Sequence, residues 1–293
     1  MPEPNPPHRS VVIITGGASG LGKLMGTHFA SARNALVTIL DIADEAKGSA
    51  VAAEIGQGTQ YRVCDVTSWN AQAAAFKAVY EQHGRIDVVI ANAGIAEGWD
   101  SWMVPTRGGD GDKDGNGEEL GEPDEPRLKV LDVNLMGVVY SVKLALYYMR
   151  RNVVDATTGH RGNIICTASN AGLYPLAVQP LYATSKYAVV GLVRSLGPAY
   201  ARPEIGIRIN ALAPAVLETN IGGGSNNLLI KTMVITPPST LIAGVEKLMT
   251  DASLNGEIAE IHGDKVTLRP PHEFVDEDSR YNLEEFTRFW YSQ

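Results

Sequence analysis

Short apolar runs alternate with longer amphipathic stretches along most of this chain. VVIIT from Val11 is a β-branched run of strand type, and a helical pattern follows from about Leu21 to Arg33. ALVTIL, which ends in Asp41, then TQYRVCDV and RIDVVIA repeat the strand pattern, with helices predicted over Asp44 to Ile55 and Asn70 to His83. The series continues with a long helix from Arg127 to about Asn152, a fifth strand RGNIICTAS, a helix from Tyr182 to Ala201 and a sixth strand IGIRINALAP. Ile221 to Ile235, opened by Gly222-Gly223-Gly224, reads as a flexible loop and short helix. Thr236 to Asp251 reads as a helix with Thr236 as N-cap and Pro237 at its first position, and GEIAEIHG as a last strand. Strands separated by helices of this length imply right-handed crossovers and a parallel sheet. The prediction is an α/β, doubly wound fold with a seven-stranded, mostly parallel sheet and helices on both faces.

Two stretches fall outside that rhythm. Residues 99–126 form an acidic, Gly-rich insertion whose low hydrophobicity predicts a surface loop beside the carboxyl ends of the strands. Its DGDKDGNGEEL core places Asp110, Asp112, Asp114 and Gly115 as in a calcium loop, but the twelfth position is Gly121 where a bidentate Glu is needed, so no metal is expected. Residues 264–293 form a polar C-terminal extension whose Phe286, Phe289, Trp290 and Tyr291 suit packing on their own domain or on a partner subunit. With no repeat and no linker, 1–293 reads as a single catalytic domain.

Composition narrows the partners. A net charge of −8 without a dense Lys/Arg block argues against nucleic acid or an anionic membrane surface. No apolar run approaches the length of a bilayer span, and the proline-rich start lacks a signal-peptide pattern, so a cytoplasmic protein is expected. Cys64 and Cys166 each lie in an apolar run without a His at ligand spacing, which predicts buried, reduced thiols.

The chemistry gathers at the ends of the strands. Thr15 is followed at once by Gly16, Gly17, Ala18, Ser19, Gly20, Leu21 and Gly22, a glycine turn between strand and helix. Such a turn lets the backbone approach a pyrophosphate, and the helix N-terminus adds N–H groups and a positive dipole end. Asp41 lies nineteen residues after Gly22, where a carboxylate accepts hydrogen bonds from an adenosine ribose and repels a 2′-phosphate, so NAD is expected over NADP. Asp65 and Asn92 fall at carboxyl ends of strands, where ligands bind in open α/β sheets. Tyr182 and Lys186, four apart on a helix, point the same way, and an ammonium beside a phenol favours the phenolate. Ser169 ends the fifth strand facing the same space.

Together these pieces resemble the short-chain dehydrogenase/reductase family, and the doubly wound domain is then of Rossmann type. The matching motifs are TGGASGLG at 15–22, Asp41, CDV at 64–66, NAG at 92–94, VNLMG at 133–137, TAS at 167–169, YATSK at 182–186 and PAVLET at 214–219. The resemblance implies a catalytic tetrad of Asn134, Ser169, Tyr182 and Lys186. It also implies cofactor contacts from Gly16, Ser19, Gly20, Leu21, Gly22, Asp41, Asp65, Val66, Asn92, Ala93, Gly94, Tyr182, Lys186, Pro214, Leu217 and Thr219. In such a site Tyr182 exchanges the substrate proton, Ser169 holds the substrate oxygen, and Asn134 fixes a proton-relaying water. A homodimer or homotetramer is implied as well. Ala215 departs from the family's glycine after Pro214, and the interval from NAG to Asn134 is longer than in typical members.

The reading of function is an oxidoreductase for a bulky apolar secondary alcohol or its ketone. The segment Ile221 to Ile235 supplies Ile221, Leu228, Leu229, Ile230, Met233, Val234 and Ile235 with Lys231 as its only charge, which suits an apolar ligand. ITPPSTLIAGVEKLMTDASLNGEI resembles fungal relatives of 15-hydroxyprostaglandin dehydrogenase, some of which act in secondary metabolism. Two alternatives stand beside it: an isomerase or cyclase that uses the same pocket with bound cofactor, and a non-catalytic dinucleotide-binding sensor.

Overall fold

The structure, a computed structural model, describes residues 9–97, 125–155, 158–200, 202, 204–217 and 232–291. Most of the acidic insertion, Thr219, and Ile221 to Lys231 of the covering segment lie outside the described residues.

Side chains alternate across a strand, so a run apolar at every position needs a core on both sides. β1 (Val11–Thr15) is buried throughout, with Ile13 in one core and Ile14 in the other. The further strands are β2 (Leu36–Asp41), β3 (Thr59–Val63), β4 (Val88–Ala91), β5 (Gly162–Thr167), β6 (Ile207–Pro214), β7 (Ile258–His262) and β8 (Lys265–Arg269). They form one sheet in the order β3-β2-β1-β4-β5-β6-β7-β8, parallel except for the antiparallel β7–β8 pair. The strand order reverses between β1 and β4, which puts the crevice for a ligand at the carboxyl ends of those two strands.

Helices cover both faces. α1 (Gly20–Ser31) and α2 (Glu45–Ile55) bring Met25, Phe29, Val51 and Ile55 to one core. α3 (Trp69–His83) brings Phe76 and Val79 to the other. The long helix there is composite: α4 (Lys129–Leu131) passes through a π turn at Asp132–Met136 into α5 (Gly137–Met149). α6 (Pro180–Tyr200) lies on the same face, and α7 (Pro238–Thr250) joins α1 and α2. The stretch Lys129–Met149 has the length and apolarity to cross a membrane, contrary to the expectation that no run would; its Val138, Val142, Ala145 and Met149 pack in the sheet's core instead.

Three further expectations need correction. The sheet has eight strands rather than seven, because His262 pairs with Lys265 across a two-residue turn and folds the start of the presumed tail back as β8. Gly263, with φ +51, takes the left-handed conformation that turn requires. α7 begins at Pro238 with Pro237 as its N-cap, while the Thr236 hydroxyl accepts the Gly263 N–H at 3.2 Å and so secures the β7–β8 turn. The extension ends in α8 (Glu277–Tyr291), on which Phe286 and Phe289 are 78% and 64% exposed, so they are not packed into this chain's own core. The side chains of Trp290 and Tyr291 lie outside the described residues.

Candidate active site

The glycine turn closes β1 onto α1 by direct backbone contact. A Cβ on Gly22 would lie 2.1 Å from the Gly16 carbonyl oxygen, so no larger residue fits this turn. Ser19 is the N-cap of α1 but makes no side-chain cap bond, and the first turn carries no acid. The N–H groups of that helix end, and the Ser19 hydroxyl, are thus left for an anion. Asp41 ends β2 beside the turn, accepting the Ala18 N–H at 3.0 Å and the Ala43 N–H at 3.3 Å. An anion cradle next to an exposed-side carboxylate fits a pyrophosphate followed by a ribose, the two ends of an adenosine diphosphate.

The remaining predicted cofactor residues divide by what they touch. The Asn92 amide donates to the Thr15 carbonyl at 3.0 Å and accepts from the Thr167 hydroxyl at 3.2 Å, joining the ends of β1, β4 and β5. The Thr15 hydroxyl in turn accepts the Asn92 and Ala93 N–H groups at 2.9 and 3.1 Å. Asn92 therefore shapes the floor of the crevice. Asp65 binds the N–H and hydroxyl of Thr67, Val66 is buried, and Leu217 packs in the core beside α7. The Pro214 carbonyl accepts from the Ser169 hydroxyl at 3.5 Å.

Asn134, Ser169, Tyr182 and Lys186 converge from three places: the π turn, the end of β5 and α6. Lys186 is only 2% exposed; its Nζ donates to the Thr167 carbonyl at 2.9 Å and stands 5.6 Å from the centroid of the Tyr182 ring. A Cβ on Gly94 would come within 3.5 Å of that nitrogen, which brings the β4 loop to the same point. The Ser169 hydroxyl lies close enough to the Tyr182 phenol to pull its pKa down. Asn134 sits in the π turn with both ends of its amide in use: Oδ1 accepts the Ile95 N–H at 2.8 Å, and Nδ2 donates to the Ile95 carbonyl at 2.9 Å and to Ser185 Oγ at 3.2 Å. These bonds clamp the β4 loop against α6.

Burial dominates the protonation of this group. Loss of water pushes the Lys186 ammonium down to about 8. The Tyr182 phenol moves up, because burial outweighs the Ser169 hydrogen bond that pulls it down. That differs from the expectation of a phenolate favoured by Lys186. The ammonium stands 5.6 Å from the ring centroid and gives its hydrogen bond to the Thr167 carbonyl.

Two contributors have no motif of their own. The Thr167 carbonyl fixes the lysine, and only a strand register reveals it. Glu97 is 7% exposed, and its Oε2 accepts the Tyr182 N–H at 3.0 Å. It follows the NAG motif closely, which was the available signal. Cys64 and Cys166 are free and buried, with thiols pushed up to about 11 and 12 by burial. Among the described residues no group of three or more His, Cys, Asp and Glu could hold a metal.

Known proteins share this arrangement of elements. The family profile for short chain dehydrogenases matches residues 10–227. The chain is similar to 5'-hydroxyaverantin dehydrogenase of Dothistroma septosporum, 32% identical over 90% of this chain and 85% of that protein. It is 29% identical to the mouse (Mus musculus) NAD(+) 15-hydroxyprostaglandin dehydrogenase over 87% of this chain and 90% of that one. Other fungal short-chain dehydrogenases, up to 37% identical, are matched over only 55 to 61% of their own length. Among solved structures, levodione reductase superposes with a TM-score of 0.68 at 27% identity, covering 87% of this chain and 96% of that one.

Proposed function

The chain belongs to the short-chain dehydrogenase family, and from that premise we propose that this oxidoreductase interconverts a bulky apolar secondary alcohol and its ketone with NAD. The observation that carries the reading is the buried Lys186 beneath the Tyr182 ring, with Ser169 on the phenol. The uncapped α1 N-terminus, the closed glycine turn and Asp41 fit a nicotinamide dinucleotide. Bound there, that cofactor supplies the acceptor or donor of hydride.

The chain's own residues handle the proton and the oxygen. With its phenol raised by burial, Tyr182 holds its proton and is suited to protonate a ketone oxygen as it becomes an alcohol. In the reverse direction it takes the hydroxyl proton, and Ser169 is the group that lowers the cost of its anion. Ser169, buried and fixed by the Ala171 N–H at 3.2 Å, holds the substrate oxygen beside the phenol. Asp41 supports NAD over NADP, since a 2′-phosphate there would meet a carboxylate. The names of two relatives, dehydrogenases of 5'-hydroxyaverantin and 15-hydroxyprostaglandin, agree with a hydroxyl as the reacting group, and the second also names NAD(+).

Tyr182→Phe tests the reading, because it removes the proton and keeps the ring. Turnover followed at the reduced-nicotinamide absorbance band should fall by about two to four orders of magnitude, with NADH binding retained. Near-normal turnover of the variant would remove Tyr182 from the reaction. Comparing kcat/KM for bicyclic alcohols with that for small polar ones tests the substrate class, and a preference for the polar set would overturn it.

A further inference from the structure

Glu97 lies beside the tetrad, and the reaction above makes no use of it. It is 7% exposed; one carboxylate oxygen, Oε2, accepts the Tyr182 N–H, and the other, Oε1, is buried with no hydrogen-bond partner. A buried carboxylate oxygen without a donor is costly, and folded chains keep such groups chiefly where something else supplies the partner. Capping does not explain it. Tyr182 is the third residue of α6, so its N–H has no partner within the helix, but one oxygen satisfies it and a Ser or Asn would serve.

The position of the free oxygen identifies its partner. Gly94 approaches Lys186 Nζ, Ile95 is bridged to Asn134, and Glu97 reaches Tyr182, so residues 94 to 97 follow the tetrad from the lysine to the tyrosine. Glu97 is thus tied through Oε2 to the turn of α6 that carries the reacting phenol. An ionised carboxylate only accepts hydrogen bonds, so the missing partner is a donor. An ammonium group would bring three donors to a place with one free acceptor, and a carboxylate or phosphate would be repelled. A hydroxyl brings one donor and fits.

We propose that Glu97 Oε1 accepts a hydrogen bond from a second hydroxyl of the substrate. The substrate class becomes diols and phenolic alcohols, with one oxygen reacting at Tyr182 and Ser169 and another held by Glu97. This rests on the reading of the chain as an alcohol–ketone oxidoreductase and adds the feature that selects among otherwise apolar substrates.

The test compares NADH-dependent reduction of 1-tetralone, of 5-hydroxy- and 7-hydroxy-1-tetralone, and of the two corresponding methyl ethers. A methyl ether keeps the oxygen and loses the donor. For wild type, at least one hydroxytetralone should exceed its methyl ether in kcat/KM by about 10- to 100-fold. Glu97→Gln keeps an oxygen for the Tyr182 N–H and puts an NH2 donor where Oε1 was. Its ratio should fall to about one or invert in favour of the ether, and using a ratio cancels any general loss through the helix cap. If wild type reduces 1-tetralone but treats each pair alike, or if the advantage survives in the Gln variant, the Glu97 proposal falls and the oxidoreductase reading stands. If wild type binds NADH and reduces none of these ketones, that reading falls and takes the proposal with it.

Discussion

Asp41 does two things at once. Its carboxylate braces the glycine turn through the Ala18 N–H and its own loop through the Ala43 N–H, and in the proposed function its charge meets the adenosine ribose. Asp41→Ala should therefore weaken binding of both cofactors while narrowing the preference for NADH over NADPH by about 10- to 100-fold. Fluorescence titration with each cofactor measures this, and an unchanged preference would separate Asp41 from cofactor choice. Lys186 shows the converse economy. Its folded-state pKa of about 8 lies below its ordinary 10.5, so between those values the unfolded chain holds more protons. The buried ammonium costs stability below about pH 8, and that cost fades as pH rises toward 10.5. The places of Asp41, Tyr182 and Lys186 in the fold were legible in the sequence because a strand end and an i, i+4 spacing fix them. Glu97 and the Thr167 carbonyl were not, because each acts on an element remote in sequence, through a backbone group.

Between elements, the junction of α1 and α7 is held by charge. Glu246 on α7 receives a two-point contact from Arg33, at 2.8 and 2.7 Å, and a 2.5 Å contact from His28 on α1. These partners, the Arg33 hydrogen bond foremost, hold the carboxyl at about 2 against an ordinary 4.5. A lowered carboxylate pKa contributes stability that is complete above about pH 4.5 and is lost as pH falls toward 2. The side chain is 36% exposed, so solvent screening reduces the contribution to about 1 kcal/mol. Glu246→Gln should lower the urea-unfolding free energy by that amount at pH 7 and make little difference near pH 2; an equal deficit at both pH values would contradict the linkage. The strands buried on both faces were plain from their runs of β-branched residues. β8 was not, because it is a short edge strand with charged ends and half-buried positions, signalled only by Gly263-Asp264 in the turn. Thr236 misled for a related reason: its hydroxyl secures that same turn, and two successive prolines let the helix start one residue later.

For the whole molecule, the two cores flank a sheet whose ligand-facing edge is set by the β1–β4 reversal, and that much followed from the order of the elements. Assembly did not, since it depends on which apolar side chains remain outside. Tyr147 on α5 and Tyr187 on α6 are 52% and 44% exposed, on the pair of helices that carries Asn134, Tyr182 and Lys186. Pairing of these helices with their copies should give a dimer or tetramer in sedimentation equilibrium at micromolar concentration, shifted toward monomer by Tyr187→Glu. Wild type sedimenting only as monomer would remove that interface. The π turn at Asp132–Met136 has a consequence for how this chain tolerates change in length. A turn wider than the α-helix offsets the phase of everything after it, and each residue of an α-helix advances by about 100°. Deleting one residue there would let the wide turn close to an ordinary α turn, so the Val138, Val142 and Met149 stripe of α5 would keep its core while Asn134 lost its bridge to Ile95. The extra residue therefore serves the site rather than the core, and the fold would survive its loss better than the Asn134 clamp would.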